Sequence, residues 1–380
     1  MIPASGNPGD LSARLSAAAK DLGVRVKGTA GEVTVAKHEL LASRIAIVHS
    51  WVNTQNEGWY RMAMDDMKVP YAYISDHTIR DTADLKSLYD VIIFPPSVGN
   101  LSTMINGIPK RLMPDGSDFG GPSPWERTEL TPNLVTPDGE PDHTADMRDG
   151  LGFTGLEHLK KFIDDGGLFI PITSTSVLPI DLGITTGISI AQTQGLQARG
   201  SIYRSEVEDR GSPIAYGYDD TLGVYFSQAP VFRVSLAGGG FGGGGGGRGG
   251  GGGAGRPSGR GTLTDPDIVQ GRPYVEPEVP QIPRTPRERE LYIDPDTRQY
   301  NAFSIPPESM WPRVIVRFAP EQNLLISGEL ADGNALAQTP TVIDVPVGRG
   351  HVVFFGINPM WREETHGTFM LVMNAAMNYN

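Results

Sequence analysis

Between Arg44 and Phe94, three short apolar runs, RIAIVHS, YAYIS and VIIF, alternate with segments of helical spacing. That alternation restricts the chain to an α/β fold. RIAIVHS is continuous and rich in β-branched residues, as a strand covered on both faces requires. Trp59, Met62, Ala63 and Met67 recur at helical spacing until Pro70 stops the helix. Leu85 and Leu88 mark a second, short helix before VIIF, which Pro95 and Pro96 close. Helices placed between successive strands supply the crossovers that parallel pairing needs. The expectation is a doubly wound, mostly parallel sheet of flavodoxin-like type with β-rich additions.

The same grammar returns further along. The segment TGLEHLKKFIDD (154–165) reads as a helix that ends at Gly166-Gly167 and feeds the strand LFIPIT (168–173). Residues 184–236 are β-like, in the runs ISIAQ, GSIYRSEV, GVYFSQ and VFRVSL. Strands are expected at 313–318, 324–328, 342–345 and 350–356, with a hairpin turn at Val347–Gly350, before a closing helix over 369–377. Residues 97–150 have little periodicity and read as one long excursion.

Residues 238–255 hold fifteen glycines in eighteen positions, too costly in conformational entropy to order. They read as a flexible Gly/Pro-rich insertion over 237–300. Phosphate-cradling loops instead place a few glycines at fixed spacing between a strand and a helix. At the start, Leu11, Leu15, Ala18, Ala19 and Leu22 share a helical face, and a small hairpin around Gly28 and Gly31 follows. The expected organisation is a linker over 1–42, the first part of the α/β domain over 43–236, the insertion, and completion of the domain over 301–380.

With a formal charge of −12, the chain has no broad basic surface for nucleic-acid binding. It has no cysteine, which removes disulfides, thiolate metal ligands and thiol nucleophiles. No run approaches the ~20 apolar residues of a membrane span. None of the seven histidines begins an HxxE or HExxH motif, so no metal is expected, and His143 with Asp146 reads as part of a solvated loop. Asp219-Asp220 reads as a turn.

There is also no GxSxG elbow. Thr173 and Ser174 follow a strand and precede a helical turn, where a hydroxyl is a candidate nucleophile and, more simply, a cap. His366 lies between the last strand and the last helix, the kind of junction where open sheets bind ligands. The loop after the first strand brings Trp51, Asn53, Gln55 and Glu57 to that same edge. Trp361 and Arg362 join them, and Trp51, Trp59 and Trp361 together would suit a glycan.

Several stretches taken together carry a resemblance: RIAIVHSWVNTQNEGWYRMAMDDMKVPYAYISD, YDVIIFPP, GGLFIPITSTS, SPIAYGYDD, GRPYVEP and GHVVFFGINPMWREETHGTF. They resemble the region that follows the catalytic domain in bacterial zinc carboxypeptidase-like proteins, relatives of carboxypeptidase A, from about Asn7 to Asn380. Such regions look like class I glutamine amidotransferase domains. In that family a nucleophilic cysteine occupies a sharp elbow after a strand, and a histidine further along serves it. The resemblance puts Thr173 at the cysteine's place and His366 near the histidine's.

It implies a pseudoenzyme, an accessory domain with a structural or docking role. Its partner would be the upstream peptidase domain of the same protein, and zinc would belong only to that absent domain, with no cofactor here. A hydrolase using Thr173 or Ser174 with His366, and a glycan-binding module, are the alternatives. The parent protein is expected to be periplasmic or secreted. The start of this chain lacks an export signal, so Met1 is read as an internal start or a fragment edge.

Overall fold

In a computed structural model, the described residues are 7–22, 26–31, 42–51, 55–97, 100–110, 112–126, 143–235 and 311–378, together with Ile2 and Ser5. The chain divides into two compact units, Met1–Leu40 and Leu41–Asn380. The first contains helix α1 (Leu11–Leu22). Residues 26–31 have no regular structure, and the rest of the expected hairpin lies outside the described residues, as does the 237–300 insertion.

The second unit begins with β1 (Ile45–His49), α2 (Asn56–Asp66), β2 (Ala72–Ser75), α3 (Asp76–Asp81), α4 (Leu85–Leu88) and β3 (Val91–Phe94). After α5 (Leu101–Asn106) come α6 (Gly152–Asp164), β4 (Leu168–Pro171) and α7 (Val177–Asp181). Four strands follow: β5 (Ile188–Ile190), β6 (Ser201–Val207), β7 (Thr221–Phe226) and β8 (Phe232–Val234). The C-terminal part is β9 (Arg313–Phe318), α8 (Glu321–Leu324), β10 (Leu325–Ser327), β11 (Pro340–Val347), β12 (Gly350–Phe355) and α9 (Phe369–Met377).

Among the described residues, ten strands form one mixed sheet in the order β10-β6-β9-β11-β12-β4-β3-β1-β2, with β7 also paired to β6. The run β2-β1-β3-β4-β12 is parallel throughout. From β12 onward every pairing is antiparallel, so the β-rich additions extend the same sheet. The β11–β12 hairpin closes at Val347–Gly350. β5 and β8 pair separately as a two-stranded sheet.

Alternate residues of the parallel strands feed two apolar cores. Ile45, Ile47, Tyr73, Ile93 and Ile170 pack with Tyr60, Ala63 and Met64 of α2 and with α9. Ala46, Val48, Ile74, Ile92 and Phe169 pack with α3 to α6 on the opposite face. Helices therefore cover both faces, and each fully buried large side chain contributes roughly 1.5–3 kcal/mol. The α6-to-β4 turn needs its glycines. Gly166 takes φ +97°, and a Cβ on Gly167 would run into the Phe162 ring.

Among the described residues of 97–150 the chain is less irregular than the composition suggests. They include α5, whose Asn100 side chain accepts from the Thr103 N–H at 3.0 Å, and two isolated bridges, Leu112 with Asp118 and Trp125 with Thr144. Among the described residues no helix is long and apolar enough to cross a membrane.

Candidate functional site

The strand order reverses between β1 and β3, and ligands of open α/β sheets bind outside the carboxyl ends at such a point. Hydroxyls link three of those ends. The Ser174 hydroxyl after β4 donates to the Ser97 carbonyl at 2.8 Å and accepts from the Ser97 N–H at 3.1 Å, and the Ser50 and Ser97 hydroxyls lie 3.5 Å apart. The Asn56 side chain donates to the Pro96 carbonyl at 3.0 Å, tying α2 to the end of β3. Thr175 donates to the Phe94 carbonyl at 2.8 Å and accepts from the Ile172 N–H at 2.9 Å. Ser174 and Thr175 are thus committed to the main chain.

Thr173 is different. It stands at the first position after β4 that turns into the helical segment, with φ +47°. The left-handed region is a steric outlier for a β-branched residue, and strain of this kind clusters at functional positions. Arg362 and Glu363, in the turn that follows β12, share it at φ +48° and +56°.

A buried polar cluster that lacks any sequence motif occupies the ends of β1 and β2. The His49 ring stacks on Tyr73 at 4.4 Å and meets Trp51 edge-on at 4.9 Å. The Arg61 guanidinium lies 4.1 Å from the Tyr73 ring centroid, and the Tyr73 hydroxyl donates to Glu57 Oε1 at 3.1 Å. Burial pushes the Glu57 carboxyl above its ordinary range, opposed by its own backbone N–H, by His49 and by Tyr73.

Asp76, 4% exposed, is pushed up to about 6 by burial, with the His77 and His49 charges acting the other way. His77 Nε2 lies 3.0 Å from the Asp149 carbonyl, which can only accept, so Nε2 carries the proton. Nδ1 lies 2.9 Å from the Thr144 hydroxyl. These bonds tie the end of the 97–150 excursion to α3. The cluster can trade a proton near pH 6.

The expected ligand-face residues divide between separate places. Trp51 lies in the His49 cluster, and its buried Nε1 has no hydrogen-bond partner among the described residues. Glu57 is in the same cluster, Gln55 is exposed at the start of α2, and Asn53 lies outside the described residues. Trp361 stacks on Tyr225 at 5.5 Å, meets Trp59 at 6.3 Å and carries Arg362 at 5.4 Å. The three tryptophans do not form one platform.

His366 is exposed, with its ring stacked on Phe369 at 5.0 Å. The Tyr218 hydroxyl holds the neighbouring Gly367 carbonyl. Among the described residues no group of three or more metal-ligating side chains is assembled. Sequence patterns passed over Asp76, His77 and His49. The signal available for them was position alone, polar residues directly after two strands that precede the switch point.

No family model and no curated relative matches the chain. Solved structures similar to it include a cytoplasmic protein of Salmonella typhimurium, 9% identical over 89% of this chain and 98% of that one, with a TM-score of 0.39. A ThuA-like protein of Bacteroides uniformis is 7% identical over 90% of this chain and 94% of its own, also at 0.39. A β-galactosidase of Bacillus circulans sp. alkalophilus is 9% identical, and the match spans only 30% of that enzyme, at 0.39. Likenesses at this level carry no inference about chemistry.

Proposed function

We propose that this chain is an amidotransferase-like α/β domain that docks a partner or substrate and performs no turnover of its own. Its parallel strands run β2-β1-β3-β4-β12, which is the 2-1-3-4-5 order of flavodoxin-like sheets. The observation that carries the reading is Thr173. A strained strand-to-helix elbow is the device that presents a nucleophile, and here it holds a β-branched hydroxyl residue with no cysteine anywhere in the chain. A threonine hydroxyl needs an adjacent base to react near neutral pH. The Ser174 hydroxyl is occupied by Ser97 and the His366 ring by Phe369, which weighs against the hydrolase alternative.

The docking partner in this reading is the zinc peptidase domain that the sequence resemblance implies, with the zinc held there and the whole protein exported. The test is peptidase, amidase and esterase turnover by this chain alone and by a fusion to that peptidase domain. We expect turnover only from the fusion, unchanged by Thr173→Val. Turnover by the chain alone that Thr173→Val abolishes would overturn the proposal. The Trp59–Trp361 pair beside Arg362 favours one second reading, a glycan contact, which quenching of tryptophan fluorescence by oligosaccharides would reveal.

A further inference from the structure

On the sheet face covered by α9, near the amino ends of β4 and β12, lies a cavity of about 170 Å³. Leu168, Ile214, Val353 and Ala375 give it apolar walls. Its polar groups come from the antiparallel register, in which Asp344 of β11 stands opposite Arg313 of β9 on one side and Val353 of β12 on the other. His351 Nδ1 lies 2.8 Å from Asp344 Oδ1, so in the neutral ring Nδ1–H donates to the carboxylate and Nε2 keeps a lone pair. Arg313 is turned to Asp209, at 2.6 and 3.2 Å. From α9's end, Asn378 donates its amide to the Asn374 carbonyl at 2.6 Å, while its Oδ1 is buried with no hydrogen-bond partner among the described residues.

The cavity therefore offers acceptors on Asp344, His351 and Asn378 beside the Arg313 guanidinium. A buried acceptor without a partner is costly, which marks Asn378 Oδ1 as waiting for a donor. The local charges are Asp209, Asp344 and Arg313, a net of one negative when His351 is neutral. Three acceptors, on Asp344, His351 and Asn378, line the cavity and match in number the three N–H groups of an ammonium. In volume the cavity is close to the ~150 Å³ that accommodates benzene, which limits a ligand to a butyl, pentyl or benzyl body.

We propose that this cavity binds a small primary ammonium ion, its N–H groups shared among Asp344, His351 and Asn378 and its short apolar body against Leu168, Ile214, Val353 and Ala375. The site is independent of the carboxyl-edge reading, since it lies at the other ends of the strands.

Asp344 raises the proton affinity of His351 above the ordinary histidine range, with burial and Arg313 opposing. The imidazolium would present a like charge and an N–H to the ligand, so affinity rises with pH as His351 deprotonates. The titratable groups facing His351 are Asp344 and Arg313 from the sheet; α9 and the Pro213–Ala215 turn bring only neutral side chains to the cavity.

The experiment titrates the full chain with benzylamine, benzyl alcohol and benzoate, followed by calorimetry and amide chemical shifts at pH 6 and 8. Benzylamine is expected to bind at least about tenfold more tightly than benzyl alcohol at pH 8, and more weakly at pH 6. Asn378→Leu, near the end of α9, is expected to weaken benzylamine by about tenfold. If that variant unfolds, the wild-type comparison alone decides. Equal or tighter binding of the alcohol or of benzoate, no binding of any of the three at millimolar concentration, or a folded Asn378→Leu chain with full affinity would each overturn the proposal.

Discussion

Replacing Asp76 with Asn removes a buried carboxylate charge at the end of β2 while keeping an oxygen to accept the His77 N–H, now at 2.9 Å. Burial lifts the Asp76 carboxyl from 3.8 to about 6, against the pull of His77 and His49. At 1.36 kcal/mol per pH unit, its ionised form costs the fold about 3 kcal/mol. The sign follows from proton binding. Between pH 4 and 6 the folded chain holds a proton that the unfolded chain has released, so stability falls as pH rises through that window. Above about pH 6 the full cost is present, and below pH 4 it is absent.

Asp76→Asn carries none of that cost. In urea unfolding from pH 4 to 8, the variant should match the wild type at pH 4 and exceed it by about 3 kcal/mol at pH 7, with m unchanged. Taking the difference between the two chains cancels the contributions of groups that do not interact with Asp76, such as His351. A difference that stays constant with pH, or a variant less stable than the wild type at pH 7, would refute the reasoning.

Thr173→Gly should relieve about 1–2 kcal/mol of left-handed strain and lose about 0.5–1 kcal/mol to glycine's chain entropy. A net gain of up to about 1.5 kcal/mol in the free energy of urea unfolding is the expected result, and a loss would mean that the elbow is not strained. Gly350→Ala places a Cβ against the carbonyl oxygens of Gly167 and Ile163, where α6 meets the β11–β12 hairpin. It should cost about 2–3 kcal/mol in thermal or urea unfolding, because backbone on both sides cannot yield.

The parallel half of the sheet was legible because its strands are apolar along their whole length. Ile45–His49 and Val91–Phe94 announce themselves without regard to register, and Phe369–Met377 reads as one helix. The antiparallel half was legible as strands that complete the same sheet, but not in the order in which they pair. Nothing in GSIYRSEV or RVIVRF says that β6 pairs with β9 across more than a hundred residues of chain. α3 escaped notice because its support is a capping box, Ser75 with Thr78, together with the burial of His77 and Ile79, and neither makes a long periodic pattern.

The site was harder to read for a related reason. Nucleophile and metal patterns are local spacings, whereas His49, Tyr73 and Asp76 are brought to one place by the β1–β2 register, with His49 opposite Ser75, and α2 supplies Glu57. What a sequence can offer in that case is a place: polar residues that directly follow apolar strands at the carboxyl edge. Asp76 and Thr173 both satisfy that description, one held against its charge preference and the other against its backbone preference. Two independent costs at one edge of an otherwise well-packed sheet support the docking reading proposed above.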